Sequence, residues 1–161
     1  MRFLLTGLPM PPSINDQYMP FGFRCPDGKI RARINPTKYL NKFQKDCEAW
    51  SEKNALVVGK ARVTAQDMLS SGGMLHVTTY AVFPSTQIWK PNGAPYKMDV
   101  SNRMKALEDA VAKMLLIDDS YFFKVSAEKV ERMRIETPFC AVLIQPWKPR
   151  SVAEVKEQEQ L

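Results

Sequence analysis

Acidic side chains surround one amphipathic segment in the second half of the chain. The segment begins at Asp99 and ends at Asp109, with Lys105 between them, and the pair Asp118 and Asp119 follows it. Carboxylates that meet from the two ends of a helix can hold Mg²⁺, which prefers oxygen ligands and keeps several of its waters. Such a metal stabilises charge on a phosphoryl group and lowers the pKa of a bound water. This spacing is compatible with metal-dependent cleavage of a phosphodiester.

A helix is predicted from about Ser101, a candidate N-cap, to about Leu115. Asn102, Lys105 and Asp109 fall on one side of it at spacings of three and four. The apolar residues form a stripe on the other side, which must face a core; they are Met104, Leu107, Val111, Met114 and Leu115. The polar side has a simpler explanation as a solvated face, where an i,i+4 ion pair contributes only a few tenths of a kcal/mol. The proposed site therefore depends on the acids converging.

Composition and charge narrow the class of protein. The chain has 161 residues, of which 45% are hydrophobic and 25% charged, which predicts one folded domain over residues 1–147 and a polar tail over 148–161. The net charge of +6 weakly favours an anionic partner such as nucleic acid. No apolar run is long enough for a signal peptide or a membrane span, so we expect a cytoplasmic protein without a membrane partner.

Histidine and cysteine chemistry is poorly represented. His76 is the only histidine, which argues against His-based metal sites and His-dependent triads, and a packed or surface role is expected for it. Cys25, Cys47 and Cys140 are far apart and lack CxxC spacing. We expect reduced thiols and no zinc finger.

The first half of the chain is predicted to contain one strand and one helix. A strand over residues 2–8 is followed by a polar loop at 13–18 and by a basic loop over 19–34, either solvated or contacting phosphates. Asn35 as N-cap and Pro36 at the first helical position predict a helix that ends near Asn54. The segment 56–73 has no clear pattern.

In the second half, Met74–Phe83 is rich in β-branched and aromatic residues and is predicted to be a strand. A loop over 84–98 leads into the helix described above. Strands over Phe122–Val130 and Phe139–Trp147 are predicted to form a hairpin across residues 132–138. This order indicates an α+β fold, with a small mixed β-sheet and two main helices packed on it.

The residues in these motifs resemble the RusA family of Holliday junction resolvases, the crossover junction endodeoxyribonucleases. Leu8–Asn15 is similar to the family's opening LPxPPSxN, and the residues Asp99, Asn102, Lys105 and Asp109 are similar to its DxDNxxKxxxDAL motif. The pair at 118–119 completes the pattern. The resemblance extends over roughly residues 2 to 146.

This resemblance implies a RusA-like homodimer that binds four-way junction DNA and nicks two strands symmetrically with Mg²⁺, or alternatively Mn²⁺, in DNA recombination and repair. The family's catalytic metal ligands match Asp99 and Asp119, with Asp118 as a further candidate ligand, and its essential lysine matches Lys105. DNA contacts are expected from Lys105 together with Lys97, Asn102 and Arg103. A bacterial host or a phage-infected cell is implied.

One position departs from the family pattern. Ser101 stands where the motif has its second aspartate, so Asp109, Asp118 or a water held by Ser101 would have to replace that ligand. The departure keeps open an alternative from another class, a branched-DNA-binding protein with little or no nuclease activity. A nuclease for single strands or flaps is a third reading. The segments 56–73 and 84–98 resemble additions to the family pattern.

Overall fold

The computed structural model describes residues 1–97 and 100–148, except for the side chains of Ile14, Ser101 and Asn102. Within these ranges, no helix is both long enough and apolar enough to cross a membrane. The tail expected over 148–161 lies outside the described residues beyond Lys148, and the predicted domain boundary stays a prediction.

Strands and helices are mixed along the chain. The strands are β1 (Phe3–Leu8), β2 (Tyr18–Arg24), β3 (Ile30–Pro36), β4 (Met74–Phe83), β5 (Phe122–Glu131) and β6 (Phe139–Trp147). The helices are α1 (Ile14–Gln17), α2 (Lys38–Lys53), α3 (Ala55–Ser70), α4 (Ser85–Ile88) and α5 (Ser101–Leu115). The strand predicted over 74–83 is confirmed with its bounds, and the helix predicted from about Ser101 to about Leu115 is confirmed as α5.

The main sheet has the strand order β1-β6-β4-β5. Strand β4 pairs parallel with β5 and antiparallel with β6, and β6 pairs antiparallel with β1. The prediction of an α+β fold with a small mixed sheet is therefore confirmed. The parallel pair follows from the helical crossover through α5, which returns the chain to the end of the sheet at which β4 began.

The predicted hairpin between β5 and β6 is wrong, because β4 lies between these two strands. The connection over residues 132–138 carries the chain across the end of β4, where the Arg132 N–H donates to the Phe83 carbonyl at 3.0 Å. Strand β4 is buried along most of its length, as expected for a central strand. Strand β4 therefore takes β6 as its antiparallel partner, and β5 and β6 do not pair with each other.

Helices α2, α3 and α5 contribute to one hydrophobic core together with the sheet. The core residues include Phe43 from α2, Val58 from α3, Leu107 from α5 and Ile144 from β6, all with 3% exposure or less. Helix α3, which was not predicted, adds a third main helix. Its buried stripe is mostly small, being Val58, Ala61, Ala65 and Met68, and alanines give little apolar contrast in a sequence.

The basic segment predicted as a loop over 19–34 is instead a two-stranded antiparallel sheet formed by β2 and β3. Its turn includes Asp27 and Gly28, and Gly28 adopts a positive φ of 76°. The predicted start of α2 is also wrong. Pro36 pairs with Tyr18 as the last residue of β3, and Thr37 caps the helix by accepting from the Leu40 N–H at 3.3 Å.

The segment before α5 contains a short helix, α4, and a bridge between Trp89 and Pro95. The Trp89 indole donates to Glu131 at 3.0 Å, which attaches this segment to the end of β5. Helix α5 takes Val100 as its N-cap residue, so the predicted cap at Ser101 is one residue too late.

Candidate active site

Helix α5 exposes its polar side to solvent because its apolar side packs in the core. Met104, Leu107, Val111, Met114 and Leu115 are all buried, which confirms the predicted stripe. Lys105 and Asp109 are exposed on the polar side, one helical turn apart. Their side chains form the expected i,i+4 ion pair, with 2.9 Å between Nζ and Oδ1.

The end of α5 brings the aspartate pair back towards the helix. Leu116 adopts a left-handed conformation with φ 57°, which ends the helix and turns the chain. Asp118 then caps a short 3₁₀ turn over Asp119–Tyr121, where its Oδ1 accepts from the Ser120 N–H at 2.8 Å. This turn places Asp119 beside the polar side of α5.

Lys105 joins the two parts of the site. Its ammonium group donates to Oδ2 of Asp119 and also pairs with Asp109. These hydrogen bonds, first to Asp119 and then to Asp109, raise the pKa of Lys105. The lysine is therefore charged at neutral pH and offsets the repulsion between two carboxylates that share it.

Two neighbouring acids have shifted pKa values for different reasons. The pKa of Asp118 is lowered by its hydrogen bonds to Ser120, so this carboxylate is ionised and occupied in capping the turn. Burial raises the pKa of Glu108, which also senses the charges of Lys105, Asp109 and Asp119. Glu108 was not predicted to be part of this cluster, although a spacing of three from Lys105 places the two residues on neighbouring positions of the helix surface.

The chemistry of the donors in this cluster suits a hard divalent cation. Asp109 and Asp119 offer carboxylate oxygens on side chains that are 48% and 41% exposed, and Mg²⁺ combines a small number of such ligands with water. Within residues 1–97 and 100–148, no group of three or more potential metal ligands is preassembled. Asp99, the first predicted ligand, lies outside the described residues. The remaining carboxylates fit part of a site.

The residues expected to contact DNA occupy different settings. Lys97 is exposed in the segment before α5, and the side chain of Asn102 is not described. Arg103 is half-buried, and its Nη1 donates to the Pro11 carbonyl at 2.8 Å. Arg103 therefore attaches the proline segment that follows β1 to α5. The motif around Arg103 gave no indication of this contact.

A groove of about 440 Å³ runs past this cluster between α2, α5 and the base of the β2–β3 sheet. Tyr18 lines it from the β2–β3 sheet, Gln44 from α2, and Asp109 and Lys113 from α5. The groove connects the exposed two-stranded sheet to the acidic cluster.

The single histidine and the three cysteines are not part of the cluster formed by Lys105, Asp109 and Asp119. His76 is 9% exposed and hydrogen-bonded to Ser126 at 3.1 Å and to Gln145 at 3.1 Å, so the expectation of a packed histidine is confirmed. All three cysteines are free thiols, as predicted.

Comparison with known proteins identifies one family. The family model described as Endodeoxyribonuclease RusA matches residues 25–137, which is more than half of the chain. The match includes the whole of α5, the acidic cluster and β5. A search of curated proteins found no significant match.

Proposed function

Because the chain belongs to the RusA family of endodeoxyribonucleases, we propose that it resolves Holliday junctions in DNA recombination and repair. The proposed reaction is a pair of symmetric phosphodiester nicks that depend on Mg²⁺, with Mn²⁺ as a possible substitute. The observation that supports it best is the joint contact of Lys105 with Asp119 and Asp109, since it unites the helix motif with the acid pair beyond the helix.

The proposed metal ligands are Asp99 and Asp119, with Asp118 as a further candidate. A divalent cation held there would supply Lewis-acid stabilisation and would lower the pKa of the attacking water. Asp119 is suited to its role because its side chain is accessible and Lys105 keeps a positive charge beside it.

Lys105 is the proposed electrostatic group. Its ammonium is charged at neutral pH, since hydrogen bonds to Asp119 and Asp109 raise its pKa. When a DNA phosphate enters, this charge lies next to the metal-binding carboxylates and can stabilise negative charge on a phosphoryl oxygen or on the leaving group. Lys105 is thus both a partner of the ligands and a contact for substrate.

DNA binding is proposed to draw on the positive charge of the whole chain. The net charge of +6 favours phosphate contacts. The proposed contacts are Lys97, which precedes α5, and Asn102 and Arg103 in its first turn. Binding should weaken steeply with salt, because each neutralised phosphate releases counterions. We further propose a homodimer, as the symmetry of a four-way junction calls for two equivalent active sites, and a cytoplasmic location in a bacterial or phage-infected cell.

Ser101 supports a second candidate function. A serine in place of the motif's second aspartate removes one carboxylate from the proposed metal site. With fewer charged ligands, metal affinity falls, and the protein would then bind branched DNA with little or no cleavage. The Ser101→Asp variant tests this directly, since it restores the missing carboxylate and should raise cleavage at low Mg²⁺ concentrations.

The deciding experiment compares cleavage of a labelled mobile four-way junction in Mg²⁺, in Mn²⁺ and in EDTA. Paired nicks that require the metal and disappear in Asp119→Asn, with junction binding retained, are expected. Asp67→Asn is a matched control, because it makes the same change at an exposed position on α3. Tight binding without cleavage in either metal would support the silent binder. Equal cleavage of flaps or linear duplexes would contradict junction specificity.

A further inference from the structure

The two-stranded sheet of β2 and β3, hereafter the hairpin, extends from the body of the protein with little cover. Every residue of β2 is exposed, and in β3 only Asn35 is partly buried. Seven residues in each strand correspond to a length of roughly 20 Å. A hairpin of this kind is marginally stable alone in water, so its exposed side chains are more easily explained by a partner than by folding.

The register separates the hairpin into two chemically different faces. Side chains alternate along each strand, and directly paired residues share a face. Phe21 therefore lies beside Arg33, and Phe23 lies beside Arg31. We call this side the Phe/Arg face; it comprises Met19, Phe21, Phe23, Arg31, Arg33 and Asn35. The opposite face is mostly aliphatic, with one arginine at the turn end and one tyrosine at the base; it comprises Tyr18, Pro20, Gly22, Arg24, Ile30, Ala32, Ile34 and Pro36.

The Phe/Arg face exposes aromatic rings beside uncompensated positive charge. Phe21 is 53% exposed and Phe23 is 40% exposed. No acidic residue lies on this face of the hairpin, and in the described part of the chain Arg33 forms no ion pair. Arg31 has only a long contact of 3.4 Å to Asp27 in the turn, between two exposed side chains, and such pairs are easily exchanged for a new partner.

Aromatic rings beside guanidinium groups match the chemistry of nucleic acid better than that of an apolar protein surface. Nucleic-acid bases have apolar faces that stack on phenylalanine, and the adjoining phosphates pair with arginine. An apolar protein surface would leave both arginines buried without a partner, which is unfavourable. Charge complementarity therefore favours DNA over a second protein chain.

The base of the hairpin is attached to the same framework as the acidic cluster. Thr37 N–H donates to the Gln17 carbonyl at 2.9 Å, and the buried Gln17 side chain donates to the Pro12 carbonyl at 2.9 Å. The adjacent Pro11 carbonyl accepts from Arg103 on α5. Tyr18, at the base of the hairpin on its opposite face, lines one groove with Asp109. The base of the hairpin therefore lies close to the helix that carries Lys105.

We propose that the Phe/Arg face binds unpaired or unstacked bases of the DNA substrate. Phe21 and Phe23 stack on base faces, and Arg33 and Arg31 contact the phosphates beside them. This inference rests on the proposed function, because it names the part of a branched substrate that the hairpin recognises. A linear duplex has its bases stacked within the helix and offers these rings only its two ends.

The test measures binding by fluorescence anisotropy in EDTA, where no cleavage occurs, with a four-way junction, oligothymidylate and a linear duplex as probes. Phe21→Ala/Phe23→Ala should weaken binding to the first two probes by at least about tenfold and leave duplex binding nearly unchanged. Ile30→Ala/Ile34→Ala is the matched control, since it removes exposed apolar side chains from the opposite face of the same hairpin. This control should bind all three probes like the wild type.

Two further variants examine the chemistry. Phe21→Leu/Phe23→Leu retains apolar area without a ring, so stacking predicts the same loss as with alanine, and full binding would overturn it. Arg33→Gln should reduce the dependence of oligothymidylate binding on salt, by about one unit of slope at most. An unchanged slope would exclude Arg33 as a phosphate contact.

The outcomes separate this inference from the proposed function. Unchanged binding of junction and oligothymidylate by the alanine variant, while the wild type still cuts junctions, would overturn the inference alone. Oligothymidylate binding that requires both rings, without any junction cleavage, would overturn only the proposed nuclease. If light scattering shows that the alanine variant converts a dimer into a monomer, the face binds a second copy and the inference is wrong.

Discussion

Replacing Lys105 with methionine removes the ammonium group while retaining an unbranched side chain of similar length. The structure predicts a small effect on stability. Lys105 is 60% exposed, and its two partners are 48% and 41% exposed, so each ion pair is screened by water. Exposed pairs contribute below about 1 kcal/mol, and i,i+4 helix pairs about 0.3–0.5 kcal/mol. A lysine that precedes its acid on a helix is also in the less favourable order.

The free energy of unfolding should therefore fall by about 1 kcal/mol in the Lys105→Met variant. For a chain of this size, that change lowers the melting temperature by roughly 2–4 °C. Junction cleavage should fall much further, at least about 100-fold, which is typical for loss of one preorganised electrostatic group in an active site. Urea unfolding followed by circular dichroism and single-turnover cleavage measure the two effects separately.

Lys113→Met is the matched control for this comparison. Lys113 lies on the same helix and pairs with Glu48 on α2 at 2.7 Å, with a side chain that is 73% exposed. In the described part of the chain, Lys113 forms no ion pair with Asp119. The control should show a similarly small change in stability and retain cleavage.

Two results would contradict the proposed role of Lys105. A loss of several kcal/mol in Lys105→Met with nearly normal cleavage would make Lys105 a structural residue. Equal losses of cleavage in the two lysine variants would assign the effect to the general positive charge of α5, and the contact with Asp119 would then have no special role.

Further predictions concern thiols and pH. Burial raises the pKa of Cys47 and of Cys140 to about 12. A thiol reagent such as Ellman's reagent should therefore label only the partly exposed Cys25 in native protein and all three cysteines in urea. Rapid labelling of three thiols in native protein would contradict the burial of Cys47 and Cys140 in the core. Burial also raises the pKa of Glu108, which means that its charged form destabilises the folded state and that stability declines as pH rises through the interval above the unfolded pKa. Glu108→Gln should unfold at a higher urea concentration than the wild type at pH 7, and the difference should disappear below about pH 4.

Local patterns in the sequence were sufficient for the elements with strong periodicity. Strand β4 was predicted with its observed bounds because it is rich in β-branched and aromatic residues. Helix α5 was predicted to within one residue because it has a clear apolar stripe. Elements with weaker contrast were missed. Helix α3 buries mainly small residues, which give little apolar contrast along the sequence. The β2–β3 hairpin is exposed on both faces, so its strands lack the alternation of apolar and polar residues that identifies a half-buried strand.

Pairings between distant segments were decided by the tertiary structure. The sequence order of β5 and β6 suggested a hairpin, but the central position of β4 separates them. The link from Arg103 to Pro11 likewise joins residues far apart in the chain. Such contacts depend on which buried surfaces match, and short-range periodicity carries no information about that.

The candidate site contains contacts of both kinds. Lys105 and Asp109 could be placed on one side of α5 from the sequence, since a spacing of four in a helix brings two side chains together. The contact between Asp119 and the same lysine could not be predicted, because it requires the left-handed turn at Leu116 and the cap formed by Asp118. Backbone geometry at the end of the helix, and not the spacing of the acids, brings the carboxylates of 109 and 119 to one ammonium group.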